Sequence, residues 1–164
     1  MSRELDTAQI LAALVTRGVD FVVIGGIAAV VHGSPRITQD LDVTFASDTG
    51  NLALLGEALV ALEATPRGVT EDVRFVADAH TLRRVEVLTL DTIAGAFDVL
   101  ARPTGAPPYG ALRQNAVRHE IGGFGVLVAS IPDLIAMKRA AGRPKDLADI
   151  AELEAIQRLQ RRRG

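Results

Sequence analysis

Val22-Val-Ile-Gly-Gly26 and, a short way downstream, Thr38-Gln-Asp-Leu-Asp-Val-Thr-Phe45 decide how this chain is read. Residues 20–24 form a short apolar, β-branched run, which reads as a buried strand, and Gly25-Gly26 breaks it. Ile27 to Val31 is apolar again, so a short helix from Gly26 to about His32 is expected, followed by the loop His32-Gly-Ser-Pro35. Gln39 to Phe45 alternates polar with apolar residues, the pattern of a half-exposed strand. A period of two puts Asp40 and Asp42 on one face and sends Leu41 and Val43 into the core. Two carboxylates held that close repel one another unless a cation lies between them. A rigid Asp-x-Asp therefore suits Mg²⁺, which takes oxygen ligands and is held by one or two carboxylates together with substrate phosphates. Gly25 and Gly26 carry no side chains, so a phosphate can approach their backbone N–H groups closely. Arg36, four residues ahead of Asp40, can reach the same phosphate from the loop. A lone Gly-Gly is usually a turn and a lone Asp-x-Asp a solvated strand face. Apolar strand, Gly-Gly, short helix and Arg-x-Thr-x-Asp-x-Asp in sequence are a far narrower combination.

The neighbouring elements follow from periodicity and punctuation. A first helix is expected from about Asp6 to Arg17, and a second, capped by Asp48 or Thr49, running to about Leu62. Residues 63–73 form a turn-rich link with Pro66 and Gly68. Strands are expected at 73–76, 84–89 and 96–100, a short helix at 109–115, and a hairpin of 117–121 with 125–128 about Gly122-Gly123. Ser130-Ile-Pro-Asp133 is a strong helix start, and that helix ends at Gly142. Pro144 opens a last helix reaching about Gln160, and Arg161-Arg162-Arg163 reads as a frayed basic tail. Lys138 would then lie in the last turn of one helix and Asp146 in the first turn of the next, brought together by the Gly142-Arg-Pro144 turn. Helix-end charge preferences alone account for part of that pattern. Strands and helices are interspersed, which leaves α/β and α+β both open.

Composition narrows the function classes. The 164 residues suit one domain, 48% of them apolar and 23% charged. The absence of Cys excludes disulfide scaffolds, zinc–thiolate sites and Cys nucleophiles, and three dispersed His make a His-rich metal site improbable. No apolar run has the length of a membrane span and the polar start is no secretory signal, so a cytoplasmic protein without membrane contact is expected. The net charge of −2 conceals an asymmetry: residues 138–164 hold eight Lys/Arg against four acids, leaving ten against sixteen elsewhere. His32 reads as structural, Ser34 as a loop residue with no nearby base, and Gly122-Gly-Phe-Gly125 as a turn that lacks the Lys-Ser/Thr of a phosphate loop. Five Phe and one Tyr are too few for a long single-strand stacking surface.

The Gly25-Gly26 and Asp40-Leu-Asp42 pairing resembles the nucleotidyltransferase superfamily with the DNA polymerase β-like fold. The segment Lys138…Arg143-Pro-Lys145-Asp146…Asp149 is similar to the later motifs of the AbiEii-type toxin nucleotidyltransferases of bacterial toxin–antitoxin systems. Together the two sets span about Asp20 to Leu153. The resemblance implies an α+β minimal nucleotidyltransferase fold, a mixed central sheet flanked by helices. Residues 1–129 would be the core, 130–160 a helical hairpin completing the active site, and 161–164 the basic tail. It implies a third carboxylate on a later strand, for which Asp98 fits best and Glu86 is the alternative. Asp40, Asp42 and Asp98 would hold Mg²⁺ or Mn²⁺. Gly25, Gly26, Arg36, Thr38, Lys138 and Lys145 would bind a nucleoside triphosphate. Asp98 would help to deprotonate the incoming hydroxyl, and Asp146 would position Lys138 or that hydroxyl. The expected reaction moves a nucleoside monophosphate from an NTP to an acceptor hydroxyl with release of pyrophosphate. Mycobacterial members of the family act on the 3′ end of tRNA, so tRNA as acceptor and a cognate antitoxin as partner are implied. The competing readings are an antitoxin-type or antibiotic-modifying nucleotidyltransferase, whose acceptor is a protein or a small molecule, and an inactive homologue that binds a partner.

Overall fold

Leu41 and Val43 are fully buried, whereas Asp40 and Asp42 stay half-buried on the opposite face of their strand, as its period of two requires. The computed structural model describes residues 3–69 and 75–164 of the chain. Its elements in order are α1 (Thr7–Val15), β1 (Phe21–Ile24), α2 (Gly25–Val31), β2 (Asp40–Phe45), α3 (Thr49–Ala61), β3 (Thr65–Pro66), α4 (Ala79–Arg83), β4 (Val87–Thr92), β5 (Gly95–Leu100), α5 (Tyr109–Asn115), β6 (Val117–Ile121), β7 (Phe124–Val128), α6 (Ile131–Ala141) and α7 (Pro144–Arg163).

The strands form one mixed sheet in the order β3-β4-β5-β2-β1-β7-β6. The central pair β1 and β2 is antiparallel; β5 joins β2, and β7 joins β1, in parallel. This is the mixed α+β sheet expected of the resemblance. All four residues of β1 are buried, as an apolar run in the middle of a sheet should be. Around them α1 packs on α3 and β7, α2 packs on β1, β2 and α6, and α6 pairs with α7 as the C-terminal hairpin. Fully buried Leu11, Leu14, Leu55, Leu59 and Phe97 fill the core. No described helix is long and apolar enough to cross a membrane.

Helix starts are where local chemistry is clearest. The carboxylates of Asp6, Asp48 and Asp78 accept from the backbone N–H of Gln9, Asn51 and Thr81, and the Ser130 hydroxyl accepts from that of Asp133. Asn51 adds a long-range clamp, accepting from the N–H of Asp20 at 2.7 Å and donating to the carbonyls of Asp20 and Ala46. That fixes the loops that flank β1 and β2 at the end away from Gly25.

Three expectations need correction. The strand placed at 84–89 lies at Val87–Thr92, because Asp78 caps the short helix α4, which ends at Arg83 with Arg84 as its C-cap. Of the strand expected at 73–76, residues 73 and 74 lie outside the described residues, and Phe75 and Val76 are in no strand. The last helix continues past Gln160 to Arg163, so the basic residues are its final turn, where cations oppose the negative end of the helix dipole.

Candidate active site

Two neighbouring strands bring three carboxylates together. In the parallel pairing of β2 with β5, Asp42 lies directly opposite Asp98, and in the antiparallel pairing of β2 with β1 it lies opposite Ile24. Asp40 is one pleat along on the same face. One oxygen from each of Asp40, Asp42 and Asp98 lies within 4.8 Å of the others. Glu86, the alternative third carboxylate, is exposed and precedes β4, outside this cluster.

Gly25 follows Ile24 and is shaped by Asp42. Its φ of +69° is a left-handed conformation, and a Cβ there would run into the Asp42 carboxylate. A Cβ on Gly26 would come within 2.5 Å of the Thr38 methyl. The two glycines thus make room for this protein's own residues as well as leaving backbone N–H groups open to a ligand.

The electrostatics of the cluster are unbalanced. Burial, then the charges of Asp40 and Asp98, push the Asp42 carboxyl up to about 8. Its Oδ1 is sealed from solvent and has no hydrogen-bond partner among the described residues. Asp98 is also raised, chiefly by burial, although Arg67 opposes the shift. A buried, unpartnered carboxylate oxygen between two further acids is what a hard divalent cation would satisfy, so the donor set fits Mg²⁺ or Mn²⁺.

The C-terminal hairpin supplies the opposite charge and keeps Lys138 and Arg143 paired. Lys138 of α6 donates from Nζ to Asp149 Oδ2 at 2.8 Å and lies 3.6 Å from Asp146 Oδ1. Arg36 also pairs with Asp149 and lies 3.9 Å from Glu152. Asp146 is completely buried at the start of α7, accepting from both the Arg143 side chain and the Arg143 backbone N–H. Those hydrogen bonds, with Lys138 nearby, lower its carboxyl to about 2. Asp146 therefore faces Arg143 and Lys138 and is not among the cleft-lining residues.

One cleft of about 550 Å³ joins the two groups. It is lined by Gly25, Gly26, Arg36, Thr38, Asp40, Asp42 and Asp98 on the sheet side and by Lys138, Arg143, Lys145 and Asp149 on the hairpin side. Every expected site residue except Asp146 lines it. His32, expected to be structural, lies outside: its Nε2 is 2.8 Å from the Ala129 carbonyl and its ring stands edge-on to His119. The sequence reading missed Ser34, which lines the cleft and whose buried Oγ lacks a partner among the described residues, and Arg67, which bonds Asp98. A loop serine carries no periodic signal. Arg67 meets Asp98 only because β3, β4 and β5 are adjacent.

Sheet order, Gly-Gly turn and paired aspartates together define a nucleotidyltransferase fold, and solved structures agree. Lincosamide antibiotic adenylyltransferase LnuA, lincomycin-bound, superposes with a TM-score of 0.58 at 14% identity, over 94% of this chain and 99% of that one. Antibiotic-resistance factor ANT(2″)-Ia gives 0.55 at 16% identity, over 94% and 89%. An antigenic nucleotidyltransferase-like protein from Paracoccidioides brasiliensis gives 0.51 at 16%, over 96% and 79%. No curated protein sequence matches significantly. The family profile of the nucleotidyl transferase AbiEii toxin, Type IV TA system, matches residues 9–163, and the chain belongs to that family. It is a nucleotidyltransferase of a toxin–antitoxin family.

Proposed function

We propose that this enzyme transfers a nucleoside monophosphate from an NTP to the 3′-terminal hydroxyl of tRNA, in a reaction that depends on Mg²⁺ or Mn²⁺. The observation that carries the proposal is the one cleft lined by the three crowded carboxylates, the Gly25-Gly26 turn and Lys138. On this reading residues 1–129 are the catalytic core, and the hairpin 130–160 completes the site.

Asp40, Asp42 and Asp98 would hold the divalent ions. When bound, such ions neutralise the triphosphate and stabilise the attacking and leaving oxygens. The Gly25 and Gly26 N–H groups, Thr38, Arg36, Lys138 and Lys145 would bind the triphosphate and aim its α-phosphorus at the acceptor. Asp98 accepts the proton of the acceptor hydroxyl as that oxygen bonds to phosphorus. The bond from the α-phosphorus to the bridging oxygen breaks, and pyrophosphate leaves carrying that electron pair. Asp146, sealed from the cleft, acts through Lys138 and Arg143 as a positioning residue. An antitoxin protein and NTP are the partners that the family implies.

The test is incubation of the protein with Mg²⁺ and each α-labelled NTP in the presence of total RNA, total protein or small-molecule acceptors. The expected result is label at the 3′ end of tRNA, lost in Asp42→Ala. Label on protein or on a small molecule would replace the tRNA acceptor with one of the competing readings. Transfer unchanged in Asp42→Ala, or no transfer to any acceptor, would contradict the enzymatic proposal.

A further inference from the structure

Arg67 makes contacts to the carboxylate cluster that the reaction above leaves unexplained. It follows β3, and its guanidinium makes three hydrogen bonds across the adjoining strands. Nε donates to Asp91 Oδ1 at 3.1 Å, and one terminal nitrogen donates to the Leu90 carbonyl at 2.7 Å and to Asp98 Oδ1 at 2.9 Å. Two of these acceptors belong to β4 and the third to β5, so the fork is held rigidly. Asp98 is thereby distinguished from its neighbours: among the described residues it alone of the three carboxylates has a cationic partner. Arg67 also lines a second hollow of about 800 Å³ that meets the first cleft at Thr38, Gln39 and Asp40.

We propose that Arg67 is a positioning residue that occupies one oxygen of Asp98 and leaves only the other to face the divalent ion and the acceptor hydroxyl. This rests on the nucleotidyl-transfer reading of the cluster. The physical argument is competition. A guanidinium and a divalent cation want the same carboxylate lone pairs, and a fixed positive charge so near the cluster opposes the binding of another cation. With Arg67 in place, Asp40 and Asp42 carry most of the ion binding, and Asp98 keeps the orientation that the proton transfer needs. Without it, Asp98 is free to turn onto the ion. The cation would then bind more tightly while turnover slows, an opposite pair of changes that plain structural damage would not produce.

The test is a cycle of four proteins: wild type, Arg67→Ala, Asp98→Asn and the double variant. Mn²⁺ binding is measured by electron paramagnetic resonance, and transfer kinetics are measured alongside. Arg67→Ala is expected to tighten Mn²⁺ binding about three- to tenfold in the wild-type background and to leave it within about twofold when Asp98 is already Asn. It is expected to lower kcat about 10- to 100-fold with KM for the NTP nearly unchanged, and to lower it no further in the Asp98→Asn background. Arg67→Lys keeps the charge without the fork. It should keep Mn²⁺ affinity near wild type and recover part of kcat, which guards against misfolding of the alanine variant. Weaker or unchanged Mn²⁺ binding in Arg67→Ala, or equal effects in both Asp98 backgrounds, would overturn the proposal. The Mn²⁺ arm remains informative even if no acceptor is labelled, so failure here and failure of the transfer reading can be told apart.

Discussion

The two sides of the cleft treat charge in opposite ways. On the sheet, of Asp40, Asp42 and Asp98 only Asp98 pairs with a cation among the described residues, the Arg67 guanidinium, which is also bonded to Asp91. On the hairpin side, Lys138 and Arg143, together with Arg36 reaching across from the loop before β2, are matched by Asp146, Asp149 and Glu152. The sheet side is left incomplete, and under the proposed function divalent ions would neutralise it. On the hairpin side the ion pairs fix Lys138 and Arg36 before any ligand arrives, while the exposed Lys145 lines the cleft beside them. Catalysis by preorganised charge needs both: a site that demands cations and a set of cations that costs little to reorganise. The same contrast explains the stability terms. Asp42 is a destabilising acid in the ion-free fold, whereas Asp146 is a stabilising one.

Breaking the sheet side should have the largest effect. Asp42→Asn is expected to lower nucleotidyl transfer about a thousandfold or more and yet to raise the melting temperature of the ion-free protein. The sign follows from linkage. Asp42 titrates near 8 in the fold and near 4 in the unfolded chain, so the unfolded state releases its proton first. The destabilisation begins near pH 4 and is complete above pH 8. The melting-temperature gain of Asp42→Asn over wild type should therefore grow between pH 5 and pH 8.5 and shrink when Mg²⁺ is added. A gain that is flat across this range would remove the contrast.

Lys138→Ala comes next, because Lys138 is the hairpin cation shared by Asp146 and Asp149. Steady-state kinetics should show kcat/KM for the NTP down about 100-fold, and thermal melting should show lower stability, since two buried acids lose a partner. Gly25→Ala should destabilise by about 2 kcal/mol or more, measured by urea unfolding, since it must hold a positive φ and displace Asp42. A milder effect is expected of Asp146→Asn. Asp146 titrates near 2 in the fold, so the stability it supplies is full above about pH 4 and is lost as pH falls towards 2. The variant should melt lower at pH 7, and its deficit should narrow as the pH is lowered through that window. The smallest effect is expected from replacing Arg161, Arg162 and Arg163 by Ala, with melting temperature within about 2 °C. A larger loss would tie the end of α7 to the fold.

Much of this was legible because it is written locally. Tyr109–Asn115 and Val117–Ile121 match the expected bounds, the second hairpin strand begins one residue earlier at Phe124, and Gly142 ends α6 where punctuation placed it. The alternation through Asp40 and Asp42 put both acids on one face before any partner strand was known. What escaped is of two kinds. The helix Ala79–Arg83 is too short to show a period, so only its Asp78 cap could have marked it, and the strand behind it was placed three residues early. The Arg67 fork and the Asn51 clamp join residues 31 apart in the chain, and their geometry exists only once the strands are ordered. Asp146 was legible as a partner of Lys138, but its burial behind Arg143, away from the cleft, follows from how α6 and α7 pack.

The central claim is that the sheet side is completed by cations that the nucleotide requires. It is tested most directly by calorimetric titration of each NTP into the protein with and without Mg²⁺, for wild type and Asp42→Asn. The account predicts binding of at least one NTP that depends on Mg²⁺ and is largely abolished in Asp42→Asn. NTP binding indifferent to Mg²⁺, or undiminished in Asp42→Asn, would contradict it.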